Sequence, residues 1–519
     1  MKKLLSLFIC ASFLLIFLFS CAGEENTSSE EAGSKTEPAS ESVSVTESEE
    51  ESSEDTPLTN PDIYKGSDYT GRTFTVFTNN NIVDFVSEIV YNDGISEDIL
   101  PETVNNAIKT RNEKVMDALG VEVKEVYFCS DWRVGGNSLS TIREILSSGI
   151  NEYDCLSIGL YDCGTLTMEN SFYDLLSLEN LNLSNPWWEQ YFNESVKIGG
   201  KVYFTIGDIG FDNKGYTPCV FYNTRLIDEL NLEDPVGLAK NGKWTIDKAN
   251  EYAKAYVLDN ADPTGIDYKD NFGWAGQYDD IYSMLYGSGS RILSPGPDGL
   301  PVMSLNTETT VNTLEKIVSF MLDDCYICAN DYFSITSNPL GLLEEAFESG
   351  RCLFYSSAIS TAVALDMDDV FGILPTPKYT EDQENYFSLI NTWCTNALCI
   401  GTNLSEEEAE FSAAVLDVMG YYSWMEYPDS LAFNYYQKML KNQKLSLEDS
   451  EAILDLIFEA RGCEVGSIYR IGAIEGNLVV NDMLIKLVQQ KQPTGFKSLY
   501  DTYGDMFEND VRVLTEALG

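Results

Sequence analysis

Apolar and polar positions divide this chain into segments of very different kind. Leu4 to Phe19 is an apolar run of about sixteen residues behind Lys2 and Lys3, and polarity changes abruptly at "SCAGEENTSSEE". An α-helix needs roughly 20 apolar residues to cross a bilayer. A shorter run with a basic start and a small residue before the junction reads as a secretory signal peptide over residues 1–20, with no part in the mature fold. Periodic structure starts near Arg72. "GRTFTVFTNN" alternates from Thr73 to Phe77, which predicts a strand delivering a polar loop at Asn79 to Asn81. "PETVNNAIKTRNEKVMDALGVEVKEVYF" opens on Pro, repeats apolar residues at Val104, Ala107, Ile108, Val115, Met116 and Leu119, and stops at Gly120 before Val121, Val123 and Val126. That is helix, glycine stop, strand. "STIREILSSGINEYDCLSIGLYD" repeats the order, with Tyr161 and Asp162 expected in the loop beyond its strand.

The same reading continues downstream. A helix is expected from about Thr224, another behind an N-capping Thr245, and a helix from Glu345 to Ser349 that stops at Gly350 before the buried strand "CLFYS". "SPGPDGLPVMS" reads as a turn-rich loop without the spacing of a calcium loop. Glu-rich helices follow Ser405, alternating with "YYSWMEY" and "FNYYQKML", whose aromatic residues at helical spacing suit a core. Alternating β and α elements predict α/β sheets covered by helices.

Composition narrows the chemistry. Residues 22–55 hold twelve Asp or Glu, one Lys and no aromatic residue, so they cannot bury enough apolar surface to offset the entropy of ordering. Residues 21–66 are therefore expected to be a disordered acidic tether, and residues 67–519 a folded domain. Setting aside the +2 of the leader and the −11 of the acidic segment, the net charge of −50 leaves −41 on the rest. Such a surface opposes any phosphate-backbone partner and excludes nucleic acid. The chain has no His, which removes the commonest general base, His-activated nucleophiles and His-containing zinc sites. Two-carboxylate glycoside hydrolysis survives on residue type, but so many acids make any pairing uninformative. Ten Cys follow Cys21, and "CYIC" at Cys325–Cys328 lacks the second CxxC or the βαβ setting that a metal or redox motif requires. Buried thiols or a local disulfide are the plain readings. A domain of this length exceeds what one core normally serves, so two lobes are expected.

Leu18-Phe19-Ser20-Cys21 resembles the bacterial lipobox, although Phe19 is larger than that pattern prefers. The resemblance implies that Cys21 is lipidated, with palmitate-like acyl chains holding the protein to the outer face of a membrane it does not cross, each CH₂ contributing about 0.8 kcal/mol. An ordinary cleaved signal with an incidental Cys is the alternative. "GGKVYFTIGD", "CVFYNTRLIDELNL", "GKWTIDKANEYAK", "LEEAFESGRCLFYSS" and "DVFGILPTPKYTEDQENY" occur in an order similar to that of bacterial extracellular solute-binding proteins of ABC transporters, family 1-like. Cys352, Leu353 and Phe354 stand where that family has small residues and Met.

The resemblance implies a type II periplasmic-binding-protein-like fold, α/β and two-lobed, each lobe a central sheet covered by helices and joined by a hinge. Lobe one would hold about 72–210 plus a segment after 391. Lobe two would hold about 216–388 plus part of the C-terminus, with crossings near Gly207 to Gly215 and Ser388 to Trp393. It implies a monomer that carries a solute to the transmembrane subunits of a permease, without catalysis, cofactor or metal. Carbohydrate is the expected solute, with a peptide, another organic solute or a glycan-degrading lipoprotein as alternatives. Sugar rings need apolar platforms and planar polar partners, since an unpaired buried hydroxyl partner costs about 1–3 kcal/mol. Trp274, Tyr278 and Trp393 are candidate platforms. Asn79, Asn80, Tyr161, Asp162, Asp212, Gln277 and Ser356 are candidate contacts, on the rule that ligands bind outside the carboxyl ends of strands. Each Trp equally suits a core.

Overall fold

The computed structural model describes residues 69–80, 85–97, 99–131, 136–260, 265–425, 430–435, 449–474, 476 and 478–519, all within one unit spanning Thr59–Gly519. The leader, Cys21, the acidic segment, Asn81 and parts of the two aromatic stretches after Tyr421 lie outside these residues. In chain order the strands are β1 (Thr73–Asn80), β2 (Glu122–Cys129), β3 (Cys155–Gly159), β4 (Pro218–Asn223), β5 (Phe272–Gly276), β6 (Leu293–Pro295), β7 (Pro301–Met303), β8 (Tyr326–Cys328), β9 (Cys352–Ala358), β10 (Phe371–Leu374), β11 (Ser388–Leu389), β12 (Asn396–Cys399) and β13 (Arg461–Gly462).

They form two principal sheets. The first has the order β12-β3-β1-β2, with β1 parallel to β2 and β3, and β12 antiparallel to β3. The second has the order β10-β4-β9-β5-β8, parallel across β9, β5 and β8 and antiparallel across β10, β4 and β9. Helices cover both, which is the α/β arrangement that the alternating pattern predicts. No helix among the described residues is long and apolar enough to cross a membrane.

Local rules account for the elements beside the site. The helix Glu102–Leu119 buries Val104, Ala107, Ile108, Val115 and Leu119, and Gly120 at φ 69° ends it with its N–H on the Met116 carbonyl. Glycine reaches that left-handed conformation without a Cβ penalty. Helix Glu406–Trp424 starts with a capping box between Ser405 and Glu408 and packs Phe411 edge-on against Phe74 of the first sheet. Trp187 and Trp188 donate from Nε1 to the buried carboxylate of Asp417 on this helix, at 3.0 and 3.2 Å.

The chain passes from the first sheet to the second through residues 207–217 and returns through β11, beside which β13 lies in parallel. A buried ionic cluster holds these crossings together. Lys214 reaches Glu189 (3.0 Å) and Asp208 (2.7 Å), and the fully buried Arg461 pairs with Glu189 while donating to the Asn213 carbonyl (2.7 Å) and Thr217 Oγ1 (3.1 Å). Burial alone would raise the Glu189 carboxyl, but Arg461 and Lys214 outweigh it and hold it at about 2. The C-terminal segments pack on both sheets' surroundings: helix Ser450–Glu459 against β10, and Val465–Ile468 against helix Leu160–Met168 beside β3.

Three expectations are corrected. Asn79 and Asn80 are not loop residues, because β1 stays paired with β2 through Asn80 opposite Cys129. Tyr161 and Asp162 are not in a loop either, since helix Leu160–Met168 starts directly after β3. The Pro- and Gly-rich "SPGPDGLPVMS" contains the antiparallel pair β6–β7. "GGKVYFTIGD" is extended but makes only isolated bridges, Ile198 with Lys201, Thr205 with Leu398 and Gly207 with Trp188. Cys325 and Cys328 are buried free thiols flanking and ending the edge strand β8.

Candidate functional site

The carboxyl ends of β1 and β3, the start of β12 and the first crossing line a narrow cavity, about 570 Å³ including its open mouth. Asn80, Asp212 and Asn396 line it together with Glu88, Glu125 and Phe85. Phe85 stacks on Tyr127 with planes 4° apart and centroids at 4.1 Å, so a flat aromatic ring is fixed in the wall. Glu88 accepts hydrogen bonds from the backbone N–H groups of Phe211 and of Asp212 (2.7 Å), tying the wall to the crossing. Burial and then the Asp212 carboxylate push the Glu88 carboxyl up to about 8. Glu125 accepts from Thr78 Oγ1 at 2.6 Å, and burial raises it too. Beneath them the buried Arg111 donates to the carbonyls of Ile209, Glu88 and Ile89.

A second group of side chains draws on elements that follow strands of both sheets. Tyr161, in the first turn after β3, meets Trp393 edge-on with centroids 6.2 Å apart, and Trp393 precedes the cavity-lining Cys394. Burial pushes the Tyr161 hydroxyl up to about 12, although a hydrogen bond with Ser467 opposes this, and the Asp279 carboxylate adds to the rise. Asp279 and Tyr282 come from the other side, at the start of helix Asp280–Gly287 behind β5. Asp279 keeps an exposed surface, and burial among its neighbours, with Asp482 contributing, lifts it to about 6. Arg470 supplies a cation 6.0 Å from the Tyr161 ring.

The remaining predicted residues are placed elsewhere. Ser138 Oγ lies 2.8 Å from both Asn79 Oδ1 and Asp162 Oδ2, and all three residues are buried, so this trio braces β1 against helix Leu160–Met168. Trp274 is fully buried, parallel to Trp244 and Tyr326 and edge-on to Phe320, and its Nε1 donates to Ser356 Oγ at 3.0 Å. It offers no accessible face as a platform. Gln277 donates its N–H to Asp280 Oδ2 (3.3 Å), and the Tyr278 hydroxyl donates to Asp331. Asp280 itself, buried beside the Tyr326 hydroxyl, is raised to about 7 by burial. The sequence reading missed Phe85, Glu88, Glu125, Asn396, Asp279, Tyr282 and Arg470. Only Asn396, three residues after the predicted crossing, carried a positional signal.

No family model and no curated protein matches this chain. Solved structures match over most of its length. An ABC substrate-binding protein from Listeria monocytogenes in complex with cycloalternan superposes with a TM-score of 0.51 at 13% identity, covering 84% of this chain and 98% of that one. A cyclo/maltodextrin-binding protein complexed with maltotetraose gives 0.52 at 14%, covering 86% and 96%. UgpB from Mycobacterium tuberculosis in complex with glycerophosphocholine gives 0.50 at 13%, covering 86% and 99%. The chain therefore has the two-lobed fold of ABC-transporter solute-binding proteins.

Proposed function

We propose that this protein captures a solute outside the cell and delivers it to the transmembrane subunits of an ABC importer, and that the solute is a carbohydrate. One observation carries the reading: Tyr161, edge-on to Trp393 beside the first sheet, lies within electrostatic reach of Asp279 and Tyr282 at the helix that follows β5 of the second. That places aromatic faces and planar polar groups where a hinge would close them on a ring bearing hydroxyls. The structures with this fold named above hold cycloalternan and maltotetraose. Lobe one would comprise about 72–210 and a segment after 391, and lobe two about 216–388 with part of the C-terminus. Cys21 would carry the lipid anchor after removal of residues 1–20, and the acidic segment would tether a monomeric domain at the outer membrane face.

Asp212, with Glu88 and Glu125, whose protons a bound cation would displace, favours a second reading, a cationic organic solute in the cavity at the carboxyl ends of β1 and β3. A thermal-shift and calorimetric screen of neutral oligosaccharides, aminosugars, quaternary amines and peptides separates the two, since a specific solute stabilises the fold by RT ln(1 + [L]/Kd). Saturable binding of a neutral oligosaccharide, recovered chemically unchanged, supports transport of carbohydrate. Binding of cations alone, or release of sugar product, overturns it.

A further inference from the structure

A second cavity, about 770 Å³ including its open mouth, shares no lining residue with the first. Its walls come from both sides of the crossings. Tyr191, Ser195 and Lys197 belong to helix Gln190–Val196 and the residue after it, while Tyr286 and Arg291 come from the end of helix Asp280–Gly287 and the turn beyond. Cys463, just past β13, completes the lining between them.

Arg291 has an unusual position for a cation in a chain of net charge −50. Its guanidinium carbon lies 3.5 Å from the Tyr286 ring centroid and 4.9 Å from that of Phe387, so two aromatic rings fix its plane. Nη1 donates to the carbonyls of Tyr286 and Ser290, each at 2.9 Å. The Nε and Nη2 edge has no acceptor among the described residues, and no carboxylate there pairs with this side chain. Glu464, whose carboxyl feels the Arg291 charge, directs its oxygens to the N–H groups of Ile292 (2.9 Å), Leu293 (3.2 Å) and Gly466 (3.2 Å).

The second polar group is the Tyr286 hydroxyl. Tyr286 is only 1% exposed, and its hydroxyl has no hydrogen-bond partner, which a buried polar group rarely tolerates. A Cβ on Gly462 would stand 2.5 Å from that oxygen and 3.2 Å from Ser195 Oγ, so glycine at this point of the crossing leaves both hydroxyls their space. A fixed guanidinium fork beside an unpaired hydroxyl matches the geometry of a carboxylate or phosphate, which takes two parallel N–H bonds and a further donor. Lys197 also lines the wall, where it is paired at 2.6 Å with Glu194, the one carboxylate among the lining residues.

We propose that this cavity is a second ligand site and binds a small oxyanion, carboxylate or phosphate, through the Nε and Nη2 edge of Arg291 and the Tyr286 hydroxyl. The test uses the full chain in detergent, titrated by calorimetry and thermal shift with inorganic phosphate, acetate and succinate at constant ionic strength, with chloride as control. Saturable binding of at least one oxyanion is expected, and the three arms tell phosphate from mono- and dicarboxylate. Tyr286→Phe, which keeps the packing, is expected to weaken that binding about tenfold, and Arg291→Gln at least as much, while sugar affinity stays as in the wild type. If Arg291→Gln does not fold, Tyr286→Phe decides. No oxyanion effect beyond chloride, or wild-type oxyanion affinity in Tyr286→Phe, would overturn the assignment.

Discussion

Trp393 meets Tyr161 edge-on, with ring centroids 6.2 Å apart and planes at 67°, where the chain returns from the second sheet to the first. Both rings are partly exposed, so each has a face left for a solute. Covering one aromatic face with a sugar removes on the order of 100 Å² of apolar surface from water, about 2–3 kcal/mol at 25 cal/mol per Å². Trp393→Ala should therefore weaken saccharide binding ten- to a hundredfold. Calorimetric titration of the variant measures this directly. Wild-type affinity with a much lower melting temperature would make Trp393 a structural residue instead.

Trp274 should behave in the opposite way. Its ring is fully buried between Trp244 and Tyr326, so truncation to Ala leaves a cavity and costs about 3–5 kcal/mol of stability. Trp274→Phe keeps most of the packing but takes the Nε1 donor from Ser356, for about 1 kcal/mol. Urea unfolding with unchanged slope reads both values. An undiminished midpoint in Trp274→Ala would contradict the core placement.

These two tryptophans show what the sequence could and could not carry. Strands and helices were legible wherever period, cap and stop agreed, as in Glu102–Leu119 with Gly120, or at Thr245, whose hydroxyl accepts the Lys248 N–H as expected. The crossings near 207–215 and 388–393 were legible from ordered family-like segments. Which polar residue faces the cleft was not. Asn79 and Asn80 are adjacent in one strand, so they point to opposite faces: one is braced by Ser138, the other lines the cavity. Glu88 and Asp279 lacked any local pattern, because their chemistry comes from segments far away in the chain.

Glu88 gives a pH-dependent test of the cavity wall. Its folded carboxyl titrates at about 8 against an ordinary 4.5, chiefly through burial. Between these values the unfolded chain has lost the proton that the folded chain keeps, so stability falls as pH rises from 4.5 to 8 and is level above. Glu88→Gln retains an oxygen acceptor for the Phe211 and Asp212 N–H groups without the charge. It should melt close to wild type at pH 4.5 and progressively higher than wild type toward pH 8.5. Parallel melting curves across that range would show that Glu88 carries no such penalty.

Arg461 and Glu189 form the opposite case, in the cluster that joins the crossings. Glu189 is held at about 2 against 4.5: burial works to raise it, and Arg461 and then Lys214 overcome that. A depressed carboxyl stabilises the fold fully above pH 4.5 and loses that contribution as pH falls toward 2, a difference on the order of 3 kcal/mol. Arg461→Met removes the guanidinium but leaves a buried carboxylate beside Asp208, with Lys214 as its remaining partner. Breaking a buried pair in this way costs about 3–5 kcal/mol near neutral pH. The variant's stability should also depend less on pH between 4.5 and 2, since Glu189 would no longer resist protonation. Denaturant midpoints at pH 7, 4 and 3 measure both effects. A wild-type midpoint at pH 7, or an acid slope as steep as that of the wild type, would show that this pair does not hold the crossings together.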